Sequence, residues 1–520
     1  MKQRIHLPAF LSAVIAVTTG CSLDQMHVSS PPGRVFAWGD QGDGTYKNPV
    51  LKSDYSDPEI LRVGDDFYLI ASDFHFVGMQ VLHSRDLVNW RYIGQVFNKL
   101  SMSPKYDQMK GYSEGTWAPS LRYHNGEFYI FVCTPNDGLF MWHAKNPAGP
   151  WSETVTVKAI ARWEDPCPFW DDDGQAYLVH SLRGAGPIII NKMAIDGSHL
   201  LDDGKEVYRG PNAEGPKMSK RNGYYYISLP EGGFKSGGQT ILRSRNIYGP
   251  YERKEVLAGT GEHQGGYVDL DNGESWFIGF KEQYNSAAGL GRISYLEPVK
   301  WGNDDWPVFG NNGQPVPSWK KPNVGKTYPI EKPATSDEFD SARLGFQWQW
   351  NHNPVDDHWS LSQRGGFLRL TALPAENLAV ARNTLTQKLW DDAGMVDVKI
   401  DIRGLADGGH AGFAFMTGNG FGWVGVKQKN GARQIEWEKG EGPAVTGDSV
   451  WLRGMYQGID CHFAYSLDGK TYIDTPSTFK MGFQSWKGGR PTLYSYGSGG
   501  YVDVDYFHYS YGATIEDAMK

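Results

Sequence analysis

Short apolar runs broken by turn residues organise this chain, and helical periodicity is nowhere sustained. The clearest run is YSDPEILRVGDDFY, from Tyr55 to Tyr68: an acidic residue before a proline, a short apolar stretch, a two-residue turn and an aromatic-led strand. Turn pairs of Asp, Asn and Gly mark hairpins because these residues tolerate left-handed backbone angles. The form returns four times, as WAPSLRYHNGEFYIFV from Trp117, EDPCPFWDDDGQAYLV from Glu164, EGPKMSKRNGYYYISL from Glu214 and HQGGYVDLDNGESWFIGF from His263. Pro58, Pro119, Pro166 and Pro216 are spaced by 61, 47 and 50 residues, periods that belong to propellers and solenoids. Strand-rich units with a turn in each select the propeller. Five units predict five blades over residues 35–320, with further strands between repeats near 78–84 and 138–143.

A Pro-rich passage, PVPSWKKPNVGKTYPIEKP, closes this region around 315–333 and reads as a linker, placed at 321–333, or a packed strap. Beyond it, alternating runs such as GFLRLTAL, GMVDVKIDI, AGFAFMTG and VDVDYFHYS, joined by Gly-rich turns, predict a β-sandwich over 334–520. The expected fold is all-β, a five-bladed β-propeller followed by a β-sandwich.

Composition agrees with this and narrows the function. A chain of 520 residues with 14% aromatic residues, 64 Gly and 29 Pro fits many short strands in two or three domains. Net charge is −8 without a basic block, so no nucleic-acid partner is expected. Residues 1–21 begin with Lys2 and Arg4, continue through an apolar run too short to span a membrane, and end in Thr-Thr-Gly-Cys. This resembles a bacterial lipoprotein signal that would lipidate Cys21, although Thr18 departs from the usual leucine and leaves plain secretion open. Residues 22–34 read as a tether. The expectation is an exported periplasmic or cell-surface lipoprotein, touching the membrane only through its lipid. Cys133, Cys167 and Cys461 remain, an odd number without metal-ligand spacing, and read as small buried hydrophobes.

In a propeller the innermost strands line a central channel, so residues at one position of each repeat converge at one end. Asp57, Asp165 and Glu214 precede their prolines by one or two residues and are predicted to share a site, with His263. Three carboxylates at a channel mouth suit glycoside hydrolysis. In the inverting form a base activates water while an acid protonates the leaving oxygen. The acid must hold its proton near neutral pH, which burial or a neighbouring negative charge achieves. An isolated Asp-Pro more often just starts a strand; three in register favour chemistry. Phe74, His75 and Trp117 either wall a sugar pocket by stacking or pack in the core.

These motifs, together with SDEFDSARLGFQWQWNHNP and VDVDYFHYS in the second half, resemble glycoside hydrolase family 43, in its form with a catalytic propeller and a C-terminal sandwich. The resemblance implies Asp57 as general base, Glu214 as general acid and Asp165 as the carboxylate that tunes and orients the acid. It implies Arg292 as a contact of the substrate sugar, suited by its paired donors. His263 matches a channel histidine beside a calcium ion. One histidine with waters would be an unusual calcium site, so a structural Ca2+ and a hydrogen-bonded histidine both stay open, and no cofactor is required. The segment FHFVGMQV departs from the family's Phe-Pro-Gly form, so the pocket wall there is not carried over. Glu59, Glu114, Glu164 and Glu231 lie near these motifs without an assigned role.

The activity implied is exo-acting, inverting release of terminal β-D-xylose or α-L-arabinofuranose from plant-wall oligosaccharides. The alternatives are a non-catalytic sugar-binding lipoprotein on the same fold, and a sandwich that is itself the glycan-binding module.

Overall fold

The computed structural model describes residues 37–512, except 75, 234, 260–261, 284–288, 419 and 485 and the side chains of Glu262 and His263. The signal-like segment, the tether up to residue 34 and His75 therefore lie outside the described residues. Apart from short 3-10 turns such as Pro104–Tyr106, the described residues form strands and loops.

Five four-stranded sheets follow one another along the chain, each a meander of sequential antiparallel strands. Their innermost strands are Glu59–Val63, Trp117–His124, Trp163–Trp170, Lys217–Arg221 and Glu262–Asp269. Each is the apolar run of one sequence repeat, and the turn after it is the predicted hairpin. In the first blade the two turn residues are Gly64 and Asp65, since Val63 pairs with Asp66. Asn125-Gly126 and Asn222-Gly223 take the same place in the second and fourth blades with positive φ at both residues, the requirement of a tight hairpin turn.

The ring is closed outside the blades. Thr45–Lys47 pairs with both Gly39–Asp40 and Ser318–Lys320, joining the two ends of the propeller in a three-stranded sheet. Asn48 reinforces the closure, its amide donating to the carbonyls of Leu296 and Val316 at 2.9 and 2.8 Å. The chain after Lys320 is a packed strap at its start: Lys321 Nζ lies 2.7 Å from the buried Asp86.

From Gln349 to Tyr511 two seven-stranded antiparallel sheets pack as a sandwich. Burial alternates along its strands, as in Ser449–Gln457, where every second residue is buried, the mark of a sheet with one face on a core. The core does not stop at the domain junction. Trp390 of the sandwich, 1% exposed, stacks on Trp38 at 6.0 Å and meets Tyr55 of the propeller edge-on.

Candidate active site

One local conformation recurs around the channel. Asp57, Ala118, Asp165, Gly215 and Gln264 all sit at the head of their innermost strands with φ between 33° and 57°. Left-handed backbone is costly for residues with a Cβ, so five occurrences in register are a designed kink. It breaks strand pairing in three blades, where the register slips between Trp117 and Ser120, Glu164 and Cys167, and His263 and Gly265. The result is two rings of residues. One contains Asp57 and Asp165; the other, one residue earlier, contains Trp117, Glu164, Glu214 and His263.

These rings floor a cavity of about 420 Å3 that holds Asp57, Glu164, Asp165 and Glu214 together with Phe74, Trp117, Arg292 and Trp486. A wider depression of about 580 Å3 lies further along the same innermost strands. Its buried acid, Glu59, is neutralised by Lys217 at 2.9 Å and Arg122 at 3.1 Å.

Each acid of the cavity is held differently. Asp57 Oδ2 accepts from the Ser72 hydroxyl at 2.6 Å and from Ser56 at 3.0 Å, while Arg292 Nη1 reaches Oδ1 at 3.2 Å. Ser72 Oγ also accepts the N–H of Ala118 at 2.7 Å, tying the first blade to the second. Asp165 repeats the arrangement between the third and fourth blades, accepting from the Ser181 hydroxyl at 2.7 Å and from the N–H of Gly215 at 2.8 Å. Gly215 is required there: a Cβ would stand 2.8 Å from Gln264 Cγ. Glu214 is half-buried and its carboxyl group makes no hydrogen bond with the described residues.

Electrostatics separate these groups. Carboxylate oxygens of Glu164, Asp165 and Glu214 lie within 4.8 Å of one another. Two full charges at that distance repel by about 3–4 kcal/mol at an effective dielectric near 20, so the trio cannot all ionise near neutrality. Burial, and then the charges of Asp165 and Glu164, push Glu214 up to about 8. Burial and Asp165 likewise push Glu164 up to about 8, against the N–H groups of Ala185 and Gly184. Asp165 is raised by burial while its bonds from Gly215 and Ser181 pull it back.

The walls are aromatic. Phe74 and Trp117 meet edge-to-face at 5.5 Å, and the Arg183 guanidinium lies over Trp117. Arg292 is fixed by Glu282 at 3.1 Å and stacks between Phe280 and Trp486, at 4.6 and 5.0 Å from the ring centres. Trp486 comes from the sandwich, so the second domain builds part of the cavity. The structure thus brings Asp57, Asp165, Glu214, Arg292, Phe74 and Trp117 together. His263 heads the innermost strand of the fifth blade, but its side chain and His75 lie outside the described residues. Glu164 and Trp486 went unassigned from sequence. Glu164 was visible in principle, since it aligns with Glu214 in the repeat; Trp486 belongs to no repeat. Among the described residues, the one cluster with metal-ligand spacing is Glu164, Asp165 and Glu214 itself.

Unequal carboxylates under aromatic walls at a propeller's channel mouth are what glycoside hydrolysis requires. The chain belongs to glycosyl hydrolases family 43, whose family model matches residues 46–307; the beta xylosidase C-terminal concanavalin A-like domain matches residues 336–510. A putative beta-xylosidase of Xylanibacter ruminicola is 47% identical over 87% of this chain and 86% of its own length. A beta-xylosidase of Formosa agariphila is 37% identical over 91% of this chain and 92% of its own. An engineered family 43 enzyme displaying both endo-xylanase and exo-arabinofuranosidase activity superposes with a TM-score of 0.81 at 27% identity, over 90% of this chain and 99% of that one.

Proposed function

We propose that this enzyme releases a terminal pentose, β-D-xylose first and α-L-arabinofuranose second, from plant-wall oligosaccharides with inversion at the anomeric carbon. The carrying observation is the inequality of the acids in one cavity: Glu214 raised to about 8 with no bond to satisfy it, Asp57 held as an acceptor by three donors. Glu214 gives its proton to the leaving oxygen. Asp57 takes a proton from water as that water attacks the opposite face of the sugar. Asp165, anchored by Ser181 and Gly215, holds Glu214 in its protonated form and in position. Arg292 orients Asp57 and meets sugar hydroxyls, while Phe74 and Trp117 wall the ring. Xylose takes precedence because the relatives matched along most of this chain carry the name beta-xylosidase.

The test is hydrolysis of xylobiose followed by NMR, with α-xylose formed first; initial β-xylose would overturn inversion. Glu214→Ala is expected to slow xylobiose cleavage by about 10²–10⁴-fold, the usual worth of a general acid. The same variant should keep most activity on a dinitrophenyl xyloside, whose leaving group needs no proton. Asp57→Ala should lose both. Export with lipid attachment at Cys21 belongs to the same proposal: Cys21→Ala should move the enzyme from the membrane fraction to the soluble one.

A further inference from the structure

Glu164 is the cavity carboxylate that these roles leave unused. It holds in the third blade the place that Glu214 holds in the fourth, one residue before the left-handed kink, and it lines the same cavity. Its side chain is only 7% exposed. Oε1 is fixed by two backbone donors, the N–H of Gly184 at 3.1 Å and of Ala185 at 3.3 Å. Oε2 has no hydrogen-bond partner among the described residues. Arg183, whose charge acts on Glu164 without a hydrogen bond to it, lies over the Trp117 ring.

Placing a carboxyl group in a residue this buried costs desolvation. Packing alone would favour an apolar residue at this position. Backbone anchoring of one oxygen, with the other left open inside a ligand-sized cavity, instead presents a hydrogen-bonding atom to an arriving ligand. The hydrogen-bonding groups that a glycoside brings are hydroxyls. We propose that Glu164 binds the substrate, its Oε2 sharing a hydrogen bond with one sugar hydroxyl. The inference rests on the glycosidase reading of this cavity.

The experiment compares xylobiose with its monodeoxy analogues, each lacking one hydroxyl, on the wild type, Glu164→Ala and Glu164→Gln. A hydrogen bond to a carboxyl group raised to about 8, largely neutral near pH 7, is worth roughly 3- to 10-fold in kcat/KM. The wild type should lose that factor on the analogue missing the partner hydroxyl. Glu164→Ala should already be slower by a similar factor on xylobiose and lose nothing further on that analogue, while the other hydroxyls keep their wild-type cost. Glu164→Gln, which preserves size and an acceptor for Gly184 and Ala185, should melt like the wild type and fall between. Parallel losses on every analogue in all three enzymes would overturn the inference, as would unfolding of both variants, which would make Glu164 a packing residue. Activity removed by chelator and restored by calcium would also overturn it, placing a cation against Oε2. Failure of the underlying reading is distinguishable: the wild type itself would then release no xylose, and this inference would fall with it.

Discussion

At the scale of the residue, the decisive quantity is where Glu214 keeps its proton. Its carboxyl is raised from an ordinary 4.5 to about 8, so kcat/KM should fall on an alkaline limb in that region. Glu164 titrates in the same range, and the limb belongs to the pair. Asp165 is the largest charge acting on Glu214 after burial; Asp165→Asn should therefore shift the limb toward acid, which a pH–rate profile reads directly. An unmoved limb would remove the tuning role of Asp165. The same proton carries a stability cost. A folded-state pKa above the unfolded value means that the native protein retains a proton which the unfolded chain releases. That contribution is complete below about 4.5 and is lost as pH rises through about 8. Glu214→Gln should therefore lose xylobiose cleavage yet melt higher than the wild type at pH 8, and the difference in melting should vanish near pH 4.

At the scale of the element, function depends on five kinks rather than on the strands they interrupt. In the second and third blades the kink brings two consecutive residues to the cavity, Trp117 with Ala118 and Glu164 with Asp165. Gly215→Ala tests this, since the new Cβ meets Gln264 at 2.8 Å in a backbone already at φ 57°. The expected destabilisation is about 1–2 kcal/mol, with a larger loss of kcat/KM, because the N–H that anchors Asp165 moves with the strain. The repeat was legible because prolines, turn residues and apolar runs recur at fixed offsets. It predicted the innermost strands, their hairpins and the convergence of Asp57, Asp165 and Glu214. The two-ring arrangement was not legible, because a residue one or two places before a proline looks alike in sequence until the left-handed residue is known. Glu164 shares Glu214's offset from its proline, yet strand alternation would turn it away from the channel beside Asp165; the kink brings both to the cavity. The sandwich was legible as alternation, but Trp486 lies on a loop whose place depends on how the two domains meet.

At the scale of the whole molecule, the two domains meet through buried charge. Lys388, Lys487 and Arg490 of the sandwich are each at most 3% exposed. They face Asp54 and Asp73 of the propeller, themselves 5% and 4% exposed. Lys388 Nζ donates to the Asp54 carbonyl at 2.7 Å and lies 3.9 Å from Asp73, and burial lowers it to about 8. The Asp54 carboxylate spans the seam: Oδ1 accepts the N–H of Arg292 at 3.1 Å, and Oδ2 accepts that of Gly488 at 3.1 Å. It therefore holds, at once, the backbone of the arginine beside Asp57 and the loop that carries Trp486. Removing one member of a buried charge cluster costs roughly 3–5 kcal/mol, because the partner charges stay buried without compensation. Asp54→Ala should lower the melting transition accordingly and reduce kcat/KM as both Arg292 and the Trp486 loop lose their anchor. Trp486→Ala separates the two effects: the ring touches Arg292 but no member of the buried charge cluster is removed, so this variant should melt above Asp54→Ala and still raise KM. If Asp54→Ala melted like the wild type, the seam would not depend on this carboxylate, and the sandwich would hold the site through its aromatic core alone.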